Sequence, residues 1–197
     1  MQTENFSTPT LEGVILCLLR LPRMTIRPAT PADQAALLAL HRAVAQDPNG
    51  IARMPDEITD AYIASLLNLQ PPVGLQRVVT DEAGELMGEI HGERYRLRIF
   101  THILTGITVV VHPRHQGRGI GKALFSQFLR DVRQTFPDIR RVELEARATN
   151  EASLRLYESL GFEREGVYRN KTRNRDGSFV DSVAMALTFT ESDRYSR

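Results

Sequence analysis

The passage that most restricts what this chain can become is ITVVVHPRHQGRGIGKAL, residues 107–124. Ile107-Thr108-Val109-Val110-Val111 is β-branched at every position, the composition of a buried strand. Pro113 has no N–H for a ladder, so the strand is expected to end near His112. Gln116 then precedes three glycines at alternate positions, Gly117, Gly119 and Gly121, and Lys122 to Leu129 opens an amphipathic helix. A strand, a glycine-dense turn and a helix in that order make an anion site. Glycine lets the backbone approach a ligand closely, and the first N–H groups of the helix are free to point at it. The ligand expected is a phosphate or pyrophosphate.

Two common phosphate loops do not fit. A Walker loop needs a glycine five residues before the Gly-Lys pair and a Ser or Thr after the lysine. Here Gln116 stands before Gly121-Lys122, and Ala123 follows. A dinucleotide fingerprint needs G-x-G-x-x-G at the start of a βαβ unit. The pattern here is G-x-G-x-G, deep in the chain.

A second informative stretch, residues 149–162, is TNEASLRLYESLGF. It reads as a helix capped by Thr149 or Asn150 and closed by Gly161, with Leu154, Tyr157 and Leu160 on one face. Together the two stretches resemble the GNAT (GCN5-related N-acetyltransferase) superfamily. Gln116-Gly117-Arg118-Gly119-Ile120-Gly121 matches that family's acetyl-CoA loop, and Asn150 through Tyr157 to Gly161-Phe162 matches its second signature. The resemblance covers roughly residues 25–189 and includes the short opening strand Thr25-Ile26-Arg27. It implies an α/β fold with a mixed, mostly antiparallel central sheet flanked by helices on both faces. The ending is similar to a subgroup that acetylates amino acids or other small primary amines.

At 197 residues the chain is long enough for one domain with its own core. Residues 1–23 read as an N-terminal extension and 24–197 as the acetyltransferase domain. The apolar run from Val14 to Leu19 is too short to span a membrane, and glutamates rather than basic residues precede it. A formal net charge of +1 gives no argument for nucleic acid or a membrane as partner. The single cysteine, Cys17, excludes an internal disulfide framework and offers no zinc cluster, so no metal is expected and a reducing, cytoplasmic setting is.

Between these landmarks, Thr30-Pro31-Ala32-Asp33 predicts a capped helix start, with Leu37, Leu38, Leu40, His41 and Val44 as its apolar stripe. Pro55-Asp56-Glu57 predicts a second helix running through Ile58, Tyr62, Ile63, Leu66 and Leu67. Residues 76–80 and 85–92 read as a hairpin. Arg96 to Val111 reads as the next strand or pair of strands, with a bulge at Gly106. Apolar residues on the last strands point to a homodimer.

The resemblance implies a direct transfer, in a ternary complex, of an acetyl group from acetyl-CoA to a primary amine of a small molecule or a protein N-terminus. Backbone N–H groups from Gly117 to Lys122 would hold the pyrophosphate, with Arg118 and Lys122 supporting its charge. Main-chain groups of Val109, Val110 and Val111 would lie beside the pantetheine arm. Asn150 and Ser153 would contact the cofactor, and Tyr157 would protonate the departing sulfur. The phenol suits that task because its pKa of about 10 is close to that of a thiol. Glu89, on the hairpin strand, is the first candidate for the base that strips the acceptor ammonium. His91 and Glu93 share its face at the two-residue period, and His102 and His112 flank the central strand. Arg114 and His115 complete a basic rim. The rival readings are a non-catalytic acyl-CoA-binding sensor, which would be indifferent to Tyr157, and an ATP- or GTP-binding protein.

Overall fold

The structure, a computed structural model, describes residues 24–190. The expectations for residues 1–23, Cys17 included, lie outside the described residues. The chain enters through β1 (Thr25–Arg27) and a 3-10 turn at Pro31–Asp33 that leads into α1 (Gln34–Ala45). Asp33 fixes this corner. Its carboxylate accepts from the Thr30 N–H at 2.8 Å and hydroxyl at 3.0 Å, and from two Arg27 guanidinium nitrogens at 2.8 and 2.7 Å.

Next comes α2 (Asp60–Leu67), which starts later than Pro55 suggests. Residues 55–57 form a separate 3-10 turn. Ile58 then leaves helical geometry at ψ 87° and is fully buried. Thr59 restarts the helix by accepting the Tyr62 N–H at 3.1 Å. Burial of Ile58 outweighs the local helix propensity.

β2 (Gly74–Thr80) and β3 (Leu86–Arg94) form the expected hairpin, and β4 (Ile103–Val111) follows. The strand expected from Arg96 begins only at Ile103, because residues 98–100 make a 3-10 turn. Leu97 and Ile99 alternate as a strand should but are 64% and 74% exposed, with no buried face to hold them. The chain continues through α3 (Ile120–Thr135), β5 (Arg141–Arg147), α4 (Glu151–Ser159), β6 (Glu163–Arg173) and β7 (Phe179–Thr188).

The seven strands make one sheet in the order β1-β2-β3-β4-β5-β7-β6, antiparallel except for β4 and β5. Helices cover both faces. On one, Leu124, Phe125 and Phe128 of α3 and Leu154 of α4 pack on Met87, Ile90 and Val142. On the other, Leu37, Leu40 and Val44 of α1 and Ile63 and Leu66 of α2 pack on Val78 and Val110. Edge strand β6 is exposed along almost its whole length, shifts register twice against β7, and carries Asn170 at φ 52°. Among the described residues no helix is long and apolar enough to cross a membrane.

Two irregularities open the sheet at its centre. Gly106, at φ 64°, forms the expected bulge, where the register passes from His91↔Thr108 to Glu93↔Thr105. The parallel ladder of β4 and β5 holds only two pairs, Ile103↔Arg141 and Leu104↔Val142. Beyond them the strands part.

The Asp33 corner gives a stability test. Its hydrogen bonds from Arg27, and to a lesser degree from Thr30, outweigh partial burial and lower its pKa from 3.8 to about 2. A depressed carboxylate contributes stability above its unfolded pKa, and that contribution is lost as pH falls through the folded value. Asp33→Asn is therefore expected to cost about 1–2 kcal/mol at pH 7. In urea denaturation the gap between the two proteins should close as pH falls from 4 towards 2.

Candidate active site

Where β4 and β5 part, two cavities of about 700 Å³ each meet along β4, one reaching Thr108 and the other beginning at Val109. The turn after α1 roofs both, through Gly50 on one side and Ile51 on the other. That turn is tied to the start of α4. Asn150 donates its side-chain N–H to the Asn49 carbonyl at 2.8 Å, and Arg147 donates to the Pro48 carbonyl at 2.6 Å.

The cavity beginning at Val109 collects most of the residues singled out as cofactor contacts. Val109, Val111, Gln116, Gly117, Gly119, Ile120, Gly121, Lys122, Asn150 and Ser153 all line it. Two helices aim their first turns at it: α3 from Gly119 and α4 from Asn150, whose Oδ1 accepts the Ser153 N–H at 3.1 Å. Among the described residues, no N–H from Gly117 to Lys122 has a hydrogen-bond acceptor. Gly117 and Gly119 need to be glycine for their backbone, at φ 73° and 78°. Gly121 does not: a Cβ there would meet Val111 Cγ2 at 3.6 Å and Leu156 Cδ2 at 3.7 Å, ordinary contacts. Gln116 shapes the loop by donating its side-chain N–H to the Val111 carbonyl at 3.0 Å.

Val110, Arg118 and Tyr157 are not part of this lining, and the expectation for Val110 concerns its main chain alone. The Val110 side chain is buried on the α1 face of the sheet, because the pleat sends it opposite Val109 and Val111. Arg118 is exposed and outside the lining. Tyr157 is buried under α4, with its ring 5.7 Å from that of Phe125 and 6.1 Å from that of Phe162. Burial pushes its phenol pKa up, and a hydrogen bond with Ser153 offsets part of this.

The other cavity is bounded by α2, β3, the bulge of β4, β5 and β6. Its wall holds His91 and Glu93, as the two-residue period predicts. Glu89 is fully buried behind them. Its Oε1 lies 2.9 Å from Gln76 Nε2 and 2.9 Å from His91 Nδ1, and its Oε2 lies 3.1 Å from His41 Nε2. Burial alone would raise this carboxyl's pKa, but the charge of His91 and the hydrogen bonds from His41 and His91 overcome it and hold the group well below its ordinary value. Glu89 is therefore an ionised acceptor of three donors and does not itself line the cavity. Tyr62 stands edge-on to His41 at 5.7 Å, with the Arg53 guanidinium 4.0 Å above its ring. Across the cavity, Arg141 donates to Glu143 at 3.1 Å and to Glu165 at 2.7 Å, and Lys171 lies 3.3 Å from Glu145. Glu93 has no basic partner among the described residues.

His102 and His112 stay outside both cavities. His112 accepts the Arg114 N–H at 3.2 Å, and burial, with Arg114 and His115 nearby, lowers its pKa. Arg114 pairs with Glu85 at 2.8 Å. Sequence reasoning missed Gln76 and took His41 for one of α1's apolar residues. The available signal was a polar side chain at an inward position of each element.

The sequence model of the acetyltransferase (GNAT) family matches residues 40–162, more than half of the chain. The L-methionine sulfoximine/L-methionine sulfone acetyltransferase of Salmonella typhimurium is 30% identical over 139 residues, 71% of this chain and 80% of that protein. The ribosomal protein bS18-alanine N-acetyltransferase of Escherichia coli is 35% identical over 83 residues, 42% of this chain; the match spans 54%, about half, of that relative's length. A Salmonella typhimurium protein solved with its cofactor acetyl-CoA superimposes with a TM-score of 0.70 at 26% identity, over 86% of this chain and 95% of that one. With the glycine loop, the parted strands and the two-sided cleft in place, the chain belongs to the GNAT family of acetyltransferases.

Proposed function

We propose that this protein transfers the acetyl group of acetyl-CoA directly to the primary amine of an amino acid or of a protein N-terminus, within a ternary complex. The observation that carries the reading is the row of unpartnered N–H groups from Gly117 to Lys122, opening on a cavity that follows the free edge of β4. The five of these N–H groups whose residues line the cavity, those of Gly117, Gly119, Ile120, Gly121 and Lys122 in the loop and first helical turn, suit a pyrophosphate. An extended edge without a partner strand suits the amides of a pantetheine arm, as in strand addition. Open space around Gly117 and Gly119, with no atom within 4 Å of either missing Cβ, leaves room for that approach. The acceptor would enter the cavity beside His91 and Glu93, where a carboxylate without a basic partner favours an ammonium ion. The matched relatives are named for an alanine of a ribosomal protein in one case and for methionine sulfoximine and methionine sulfone in the other, which supports an amino-acid amine as the shared chemistry.

Direct transfer requires the neutral amine to attack the thioester carbonyl and the sulfur to leave with a proton. Tyr157 is the proposed donor of that proton, through its Ser153 neighbour at the cavity wall.

Calorimetry without metal, titrating acetyl-CoA, CoA and ATP, tests the loop. Binding of acetyl-CoA but not ATP is expected, and failure to bind acetyl-CoA would remove the reading. Acetyl-CoA binding without acetyl transfer to free methionine or to an Ala-initiated peptide, read as no release of CoA, would favour the sensor instead. Tyr157→Phe should reduce turnover by about 10²-fold at near-normal acetyl-CoA affinity.

The glycines can be separated. Gly119→Ala forces an L-residue into left-handed geometry and should cost about 1–2 kcal/mol, with at least a roughly tenfold loss of acetyl-CoA affinity. Gly121→Ala, already within helical geometry, should leave thermal stability unchanged or slightly raised.

A further inference from the structure

Glu89 is a charge placed where water cannot reach it, and only one of its partners touches the cleft. The carboxylate is ionised, so each group facing it donates: Gln76 Nε2 from β2, His41 Nε2 from α1 and His91 Nδ1 from its own strand. In the neutral form of either ring this contact fixes the tautomer. His91 carries its proton on Nδ1, which leaves a lone pair on Nε2, and its ring lines the acceptor cavity. His41 carries its proton on Nε2; its Nδ1 is buried without a partner, so it is sealed from the acceptor. Of the three titratable groups in the cluster, His91 alone joins a carboxylate on one side to the cleft on the other.

We propose that His91 Nε2 takes the proton from the acceptor ammonium, and that Glu89 is a positioning residue acting through His91. The proposal rests on the acetyl-transfer reading above. In the step, the N–H bond of R–NH3⁺ breaks and its proton moves to Nε2. The freed electron pair of R–NH2 then attacks the thioester carbonyl carbon. Tyr157 gives its proton to the leaving sulfur, forming CoA–SH, and the second amine proton replaces it, while the imidazolium returns the first proton to water. Glu89 holds Nδ1–H throughout, so the positive charge that develops on the ring faces a fixed negative one. The other groups around His91 fit this assignment. Glu93, next on the same face, attracts the ammonium. Thr108, opposite on β4, carries no charge. Tyr62 of α2 touches His41, and the Arg53 guanidinium lies over the far ring, not over His91. The stacked His41 ring lies with its centroid 6.4 Å away, its Nδ1 buried and without a hydrogen-bond partner.

The test combines kinetics and spectroscopy on the full chain. His91→Asn keeps an N–H for Glu89 and removes the basic nitrogen. It should lower kcat/KM for free methionine or an Ala-initiated peptide by 10²-fold or more at pH 7, with acetyl-CoA affinity within about threefold of the parent. Its rate should rise steadily with pH where the parent reaches a plateau. Glu89→Gln should shift the acid limb of that profile to lower pH and reduce the plateau by about tenfold. Long-range ¹H–¹⁵N spectra of the unsubstituted protein should show the Nδ1–H tautomer at His91, whatever its activity. An Nε2–H tautomer, or a His91→Asn protein with the parent's rate and pH profile, would overturn the proposal. An unsubstituted protein that binds acetyl-CoA but acetylates neither probe would instead remove the transfer reading, and this step with it.

Discussion

The short ladder between β4 and β5 is the constraint on which the site depends. Parallel strands gain their stability from evenly spaced hydrogen bonds, and this pair forgoes most of them after Leu104 and Val142. What keeps the sheet intact is support from outside the pair. β3 pairs with β4 on its far edge on either side of the Gly106 bulge, β7 holds β5 over seven residue pairs, and α3 and α4 close the face beneath. The gap is therefore bordered by paired and packed elements on each side. It supplies what no continuous sheet can: a central strand with one edge free, set beside the starts of two helices.

Placing a full negative charge beside this gap is costly unless donors surround it. Gln76, His41 and His91 meet that need for Glu89 from three separate elements, so the charge ties α1, β2 and β3 together. The same arrangement leaves two buried polar atoms without partners, His41 Nδ1 and Gln76 Oε1. Both are the far ends of groups whose near ends serve Glu89. Each such unsatisfied atom is costly in a low-dielectric interior.

Sequence alone disclosed the parts whose logic is local. The β-branched run to Val111, the Gly161 helix cap and the Thr30–Asp33 corner each depend on residues a few positions apart, and each is present as read. The α4 signature was legible for the same reason. Parts decided by packing were not. Ile58 looks helical until its burial is known, and Leu97 and Ile99 look like strand residues until they prove to have nothing to cover. Val110 sits between two cleft residues in the sequence, but the pleat turns its side chain away. The Glu89 cluster spans 50 residues from His41 to His91, and no spacing rule joins a helix stripe to the middle of a hairpin. Glu89 was legible as a carboxylate of interest. That it faces inward, behind a histidine, was not.

The outer border of the sheet carries a different message. An eleven-residue edge strand with apolar Val167 and Tyr168 in the open would ordinarily invite a neighbouring chain to add to it. Here the two register shifts and the left-handed Asn170 break its hydrogen-bonding row into short, misaligned pieces. Arg164, Glu165, Arg169, Lys171 and Arg173 add charge of both signs along the same strand. Such a border resists fibrous stacking at high concentration, and it does so through backbone irregularity that a single surface substitution would not undo.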